Sequence, residues 1–282
     1  METTELDLEI SKNQISIDFD ALEEPEEESS TLSLVSAKNL DWIKDEVLFV
    51  VVRAKEQFIE NLSEFQLLGK SLIEWVKMAG NHCQTIVIDD DENLLLRLKN
   101  IQTDKKIMAV FYSDTPLLDK ALFNEILSYF SSKGFNALKL LRGAIFRVDY
   151  LKALSEFVQA PSSKFNVAML EKIDNSKKLA RAYQILKEKI LSFHRRNGVI
   201  LMEDNISIDA DVEIEAGAVI YGNNCIEGQT IISKGAILKS GNFVKDSIIG
   251  KNVVLEGAYI EKSKISDGKR VVPFEKIVNE SI

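Results

Sequence analysis

Histidine and cysteine are almost missing from this chain, with two of each in 282 residues. His82, His194, Cys83 and Cys225 form no spaced set of ligands, which argues against a zinc site. The two cysteines fall in segments of different character. With no secretion signal, they read as reduced thiols of a cytoplasmic protein. Long apolar runs are also missing. The longest, Val47–Val52 and Ile107–Tyr112, have six residues, against about twenty for a membrane-crossing helix. The N-terminus is acidic where a signal peptide is basic and then apolar, so neither membrane insertion nor export is expected.

Excess positive charge is absent as well. The chain has 35 Lys and Arg against 44 Asp and Glu, a net charge of −9. Residues 1–30 hold eleven of the acids and one base, Lys12, so the remainder carries 34 bases and 33 acids. The acidity belongs to the tail. A nearly neutral body gives no electrostatic footprint for nucleic acid. Residues 1–35, with the run Glu23, Glu24, Glu26, Glu27 and Glu28, are expected to form a disordered acidic tail or a loosely docked arm.

Residues 36–175 alternate apolar runs with helical patterns. Val47–Val52 predicts a strand covered on both faces. Helical stretches through Leu72–Met78, Leu94–Leu98 and Leu122–Phe130 separate it from strands at Thr85–Ile88, Ile107–Tyr112 and Ala144–Val148. This order predicts an α/β, Rossmann-like domain with a mostly parallel sheet, whose binding residues lie at the carboxyl ends of the strands. Residues 176–198 read as a linker helix. Leu179, Ala182, Tyr183, Leu186, Ile190 and Phe193 share one face, and Asn197-Gly198 forms the stop.

Residues 199–275 follow another rule. Ile208, Ile214, Ile220, Ile226, Ile232, Leu238 and Val244 recur every six residues, a period no α-helix can keep on one face. Each hexad predicts one short strand of a parallel β-solenoid, with the aliphatic ladder inside. The later members, Ile249, Leu255, Ile260, Ile265 and Val271, slip to steps of five or six, which predicts shortened corners. Side chains alternate along a strand, so the residues before each rung point outward. They include Val219, Cys225, Ile231, Ile237 and Phe243, apolar where a solvated ladder is polar. These positions are the expected interface of a homotrimer.

An α/β domain, a long helix and a hexapeptide solenoid, in that order, resemble the bacterial bifunctional N-acetylglucosamine-1-phosphate uridylyltransferase/glucosamine-1-phosphate acetyltransferase family. Local residues carry the resemblance further. Tyr112-Ser113-Asp114-Thr115-Pro116-Leu117-Leu118 resembles the strand end with that family's metal-binding aspartate. Asp174-Asn175-Ser176-Lys177-Lys178-Leu179 resembles the segment with its metal-binding asparagine. His194-Arg195-Arg196-Asn197-Gly198-Val199 and the residues through Ile214 are similar to the start of its solenoid, and Leu68–Val76 to its second helix. The resemblance implies a left-handed β-helix, association as parallel trimers, and a magnesium ion on Asp114 and Asn175. That ion would serve transfer of a uridylyl group to a sugar 1-phosphate.

The chain departs from the family at its chemical centre. The family's glycine-rich phosphate loop follows the first strand; here the strand runs into Arg53-Ala54-Lys55-Glu56-Gln57-Phe58, with no glycine before Gly69. A phosphate nest needs glycine for close backbone approach. UTP is therefore expected to bind weakly or not at all, and turnover to be weak or lost. Asn100–Lys105 is too short for the uracil-contacting region. Of the sugar-binding region only Gly143 remains, in Lys139-Leu140-Leu141-Arg142-Gly143. No histidine lies in the coils, so no acetyl-coenzyme A chemistry is expected. Asp114 also reads as an ordinary turn residue, and Asn175 as a helix N-cap. Cys225 reads as a surface or interface thiol rather than a nucleophile. His194, Arg195 and Arg196 read as cations at a helix C-terminus. Two functional classes remain open: a sugar-1-phosphate nucleotidyltransferase with an unusual phosphate loop, or a non-catalytic relative acting through its solenoid as a scaffold or regulator.

Overall fold

Burial of the valine-rich run on both faces organises the first half of the molecule. The computed structural model describes residues 41–55, 58–91, 93–155, 165 and 167–282. The acidic tail lies outside these residues. Helix α1 (Asp41–Glu46) leads directly into strand β1 (Val47–Arg53), of which all but Arg53 is buried. Val47, Phe49 and Val51 face one core, with Ile73 and Val76 of α2 (Leu72–Ala79) and Phe123, Ile126 and Phe130 of α4 (Lys120–Ser132). Leu48, Val50 and Val52 face the other, with Leu98 of α3 (Leu94–Asn100) and Leu151 of α5 (Val148–Ala153). Period-two alternation inside an unbroken apolar run thus feeds two cores at once.

The sheet has five strands, in the order β4 (Gln84–Asp89), β1, β5 (Ile107–Tyr112), β7 (Gly143–Arg147) and β6 (Ala137–Leu140). β4 (Gln84–Asp89) and β5 (Ile107–Tyr112) run parallel to β1 on either side of it. The sequence pattern missed β6 (Ala137–Leu140) and the direction of β7 (Gly143–Arg147). The two form a hairpin around Leu141 and Arg142, and β7 lies antiparallel to β5. Gly143 permits this. Its φ is 142°, and a Cβ there would stand 2.6 Å from the Val110 carbonyl oxygen.

A smaller hairpin connects the halves. β2 (Gln66–Leu67) and β3 (Lys70–Ser71) turn through Leu68 and Gly69, both at positive φ, as a tight hairpin demands. The tip meets the first coil of the solenoid. The Ala210 N–H donates to the Leu68 carbonyl at 3.0 Å, and Lys70 pairs with Asp211 at 2.7 Å. Ser71 then opens α2 with a capping box closed by Glu74.

Helix α6 (Ser176–Arg196) changes partner along its length. Ala182 and Leu186 pack with Leu72, Trp75 and Ile173, whereas Leu191 joins the solenoid core. This alters the face expected from the sequence. In the last turn Leu191 and His194 are buried and Phe193 is exposed, because the partner now lies on a different side.

The solenoid has three faces of parallel strands, mostly two residues long. One stacks Ile200–Leu201, Val219–Ile220, Ile237–Leu238, Val254–Leu255 and Arg270–Val271. A second stacks Glu213–Ile214, Ile231–Ile232, Ile248–Ile249 and Lys264–Ile265. The third stacks Ser207–Ile208, Cys225–Glu227, Phe243–Lys245, Tyr259–Glu261 and Lys276–Val278. The inward ladder from Ile220 to Ile265 is fully buried, including the slipped members Ile249, Leu255 and Ile260. Corner hydrogen bonds explain the slip. They join residues 18 apart between Asn224 and Asn242, 17 apart between Thr230 and Ser247, and 16 apart between Asn242 and Ala258.

Two of the corners are polar ladders inside the prism. The Asn242 amide donates to Asn224 Oδ1 at 2.8 Å and to the Lys239 carbonyl at 2.6 Å, while its own oxygen accepts from the Ala258 N–H. At the next corner, Thr230 Oγ1, Ser247 Oγ and Ser263 Oγ accept from the Ser247, Ser263 and Glu280 N–H groups in turn. Asn242→Ala strands the buried Ala258 N–H. It should lower unfolding free energy by about 2 kcal/mol or more in urea titrations. Asn205→Ala, which removes an exposed bond to Asn223, should stay within about 0.5 kcal/mol of the parent.

Candidate functional site

In sheets of this kind ligands bind outside the carboxyl ends of the strands. Here those ends are Arg53 on β1, Asp89 on β4 and Tyr112 on β5. The chain leaves β1 through Ala54, and the Ala54 N–H donates to Ser113 Oγ at 3.1 Å. Ser113 is buried and shares a 2.8 Å hydrogen bond with Ser63. A backbone donor at the start of the loop is thereby consumed internally. The Arg53 guanidinium lies between Glu64 at 3.6 Å and Asp89 at 3.7 Å, and Arg97 pairs with Asp89 and Asp91. These exposed pairs add little stability but neutralise cations that a phosphate would need.

Asp114 follows β5 and is 1% exposed. Arg142, on the β6–β7 turn, grips both of its oxygens. Nε lies 3.0 and 3.2 Å from Oδ1 and Oδ2, and Nη2 lies 2.8 Å from Oδ2. The guanidinium also lies 3.6 Å from the centre of the Tyr112 ring. Burial pushes the Tyr112 hydroxyl pKa up; Asp90 adds to the rise and Arg142 opposes it. Asn175 is the N-cap of α6. Its oxygen accepts from the Lys178 N–H at 3.0 Å and its amide donates to Asp174 at 2.7 Å. The Ile173 N–H donates to the Asp114 carbonyl, which brings the segment before α6 alongside the end of β5. No hydrogen bond joins the Asp114 and Asn175 side chains to each other.

A magnesium ion needs oxygen donors turned toward it. Both Asp114 oxygens face a permanent positive charge, and the Asn175 oxygen caps a helix. The residues as arranged do not fit the metal. Among the described residues no cluster of three or more His, Cys, Asp or Glu side chains offers another place for one.

Sequence reasoning passed over Arg142. It stands 28 residues from Asp114, and only the hairpin that the pattern missed brings the two together. Its one signal was negative, the loss of the family's sugar-binding residues around Gly143. Cys225 donates weakly to Glu227, and burial pushes its pKa to about 11; that of Cys83 is also pushed to about 11. Thiols so protonated at neutral pH are poor nucleophiles.

The expected outward positions stack as rungs. Val219 pairs with Ile237, Cys225 with Phe243 and Ile231 with Ile248. The strips extend to Ile200, Val254 and Tyr259, whose ring stacks on Phe243 at 4.9 Å. Ile248, Tyr259 and Ile200 are 42%, 38% and 50% exposed. Helix α6 contacts the first-coil strands Ile200–Leu201 and Ser207–Ile208, and its Leu191 joins the solenoid core.

No family model matches the chain. Curated relatives do. It is 36% identical over 110 residues to the bifunctional protein GlmU of Clostridium acetobutylicum, covering 39% of this chain and 24% of that protein. Against GlmU of Clostridium novyi it is 32% identical over 142 residues, 50% of this chain and 31% of the relative. Against GlmU of Streptococcus agalactiae the identity is 38% over 100 residues, 35% and 22% of the two chains. The chain therefore spans under a third of the length of the curated relatives it matches. Over the matched stretch the chain is similar to GlmU proteins. A solved structure of CMP:2-keto-3-deoxy-manno-octonic acid synthetase with CTP aligns at a TM-score of 0.39 and 11% identity, over 51% of this chain and 99% of that one. Among the described residues, no helix is long and apolar enough to cross a membrane.

His194 is not one of the terminal cations its position suggested. It is buried, and burial lowers its pKa from 6.5. Arg195 instead pairs with Glu188 and Asp204. Burial, helped by Lys120, lowers the His82 pKa too. A histidine with a lowered folded pKa holds fewer protons folded than unfolded. Its stabilising share is complete above pH 6.5 and is lost as pH falls through 6.5 toward the folded value. The urea midpoint should drop between pH 7 and pH 5.5, and His194→Leu should make that drop smaller.

Proposed function

We propose that the chain is a sugar-1-phosphate nucleotidyltransferase-family protein, like UDP-N-acetylglucosamine pyrophosphorylases, whose nucleotide edge retains little or no turnover. The observation that carries this reading is the fate of the first strand end. The Ala54 N–H, placed where a phosphate cradle would begin, is bound to buried Ser113. Without several free backbone donors a triphosphate loses its main preorganised contacts. Support for the family comes from the GlmU relatives. Free thiols and the lack of a membrane-crossing helix among the described residues are compatible with a cytoplasmic protein.

A second reading has its own observation. The outer apolar strips favour a non-catalytic scaffold or regulator that works as a homotrimer through its β-helix, with Val219, Cys225, Ile231, Ile237 and Phe243 at the interface. A three-faced prism suits a cyclic assembly in which each chain's face meets its neighbour's.

Two measurements test the readings. Calorimetry with UTP and magnesium should give no binding tighter than millimolar. A micromolar constant abolished by Asp114→Ala would restore an active enzyme. Light scattering at micromolar concentration should give three times the 31.8 kDa of one chain. Ile237→Glu with Phe243→Glu should reduce it to one chain while α-helical circular dichroism persists. A parent mass near one chain would end the trimer reading.

A further inference from the structure

The geometry points to Arg142 as the resident cation of the sheet edge, holding the carboxylate of Asp114 in place of a divalent metal ion and closing the site to one. Asp114 is almost wholly removed from solvent, and an ionised carboxylate there requires a positive partner. Arg142 is that partner by construction of the fold. Its guanidinium cannot lose its charge at physiological pH, and its planar fork meets both carboxylate oxygens. Three features hold it there. The two-residue turn between β6 and β7 sets its backbone, Gly143 lets that turn approach Val110, and the Tyr112 ring lies against its flat face. A divalent ion approaching Asp114 would have to displace this guanidinium or sit beside it, and charge repulsion opposes the second course. The charge complement is thus kept within the chain, whereas the Asp114–Asn175 pair alone would take it from solution.

The proposal rests on reading this edge as a nucleotidyltransferase edge, but its test uses metal alone. The UTP experiment can therefore fail or succeed separately. Manganese is the probe, because it shares the oxygen-ligand preference of magnesium and is counted directly by electron paramagnetic resonance. The full-length protein is titrated beside Asp114→Ala, which corrects for loose binding to the acidic tail. The parent and Asp114→Ala should bind the same amount. Arg142→Ala, and Arg142→Gln if the first variant does not fold, should bind about one further ion per chain. Adding Asp114→Ala to either should remove that ion. Two results would overturn the proposal: manganese bound by the parent and lost in Asp114→Ala, or folded Arg142 variants that bind no more than the parent.

Discussion

A strand of two residues cannot exist alone. Each one in the solenoid is held by hydrogen bonds to the neighbouring coils, two for the inner coils and one at either end, and by an aliphatic side chain packed between them. That mutual support is the constraint from which the second half of the molecule follows. It explains why the inward ladder admits only Ile, Leu and Val from Ile220 to Val271. It also explains why asparagine and hydroxyl ladders stand at the corners. Coils of 18, 17 and 16 residues leave backbone N–H groups at the bends without a strand partner, and Asn242, Ser247 and Ser263 supply one.

The first half obeys a different economy. Its sheet is built as a ligand-binding sheet is, with apolar strands buried between helices and polar residues gathered at the carboxyl ends. Yet the polar groups there satisfy one another. Ser113 serves Ala54 and Ser63, Arg53 and Arg97 serve Asp89, and Arg142 serves Asp114. An open binding site leaves such groups for its ligand. This edge has its partners within the chain.

Much of this was legible in the sequence because it rests on periods. Seven aliphatics at six-residue spacing specify a solenoid, and Val47–Val52 specifies a strand covered twice. The slip after Val244 was readable as shortened corners, since the ladder itself never breaks. What escaped depends on three-dimensional pairing. The β6–β7 hairpin has a turn of Leu141 and Arg142, without the Asn-Gly or Asp-Gly pair that marks such turns. Missing that hairpin meant missing the partner of Asp114. Likewise α6 keeps one helical period while exchanging one neighbour for another, so a single apolar face could not foretell the exposure of Phe193 or the burial of His194. Asn175 was readable as a helix N-cap, whose oxygen takes a backbone N–H, and the structure shows that bond; nothing near Asp114 in sequence told that a guanidinium already occupied it.

The contact between the β2–β3 tip and the first coil ties the two halves together across the sequence. Lys70 and Asp211 are 141 residues apart, whereas successive coils join residues 16 to 18 apart. Closing so long a loop costs entropy, which the ion pair and the hydrogen bond offset together with the packing of Ala210 on the cluster of Leu67, Leu68 and Trp75 and of α6 on both halves. The contact requires the shape of both the hairpin and the first coil, since its donors and acceptors come from the tip of one and the corner of the other. The clasp thus ties together two kinds of contact, sheet pairing across distance in one half and winding from neighbour to neighbour in the other.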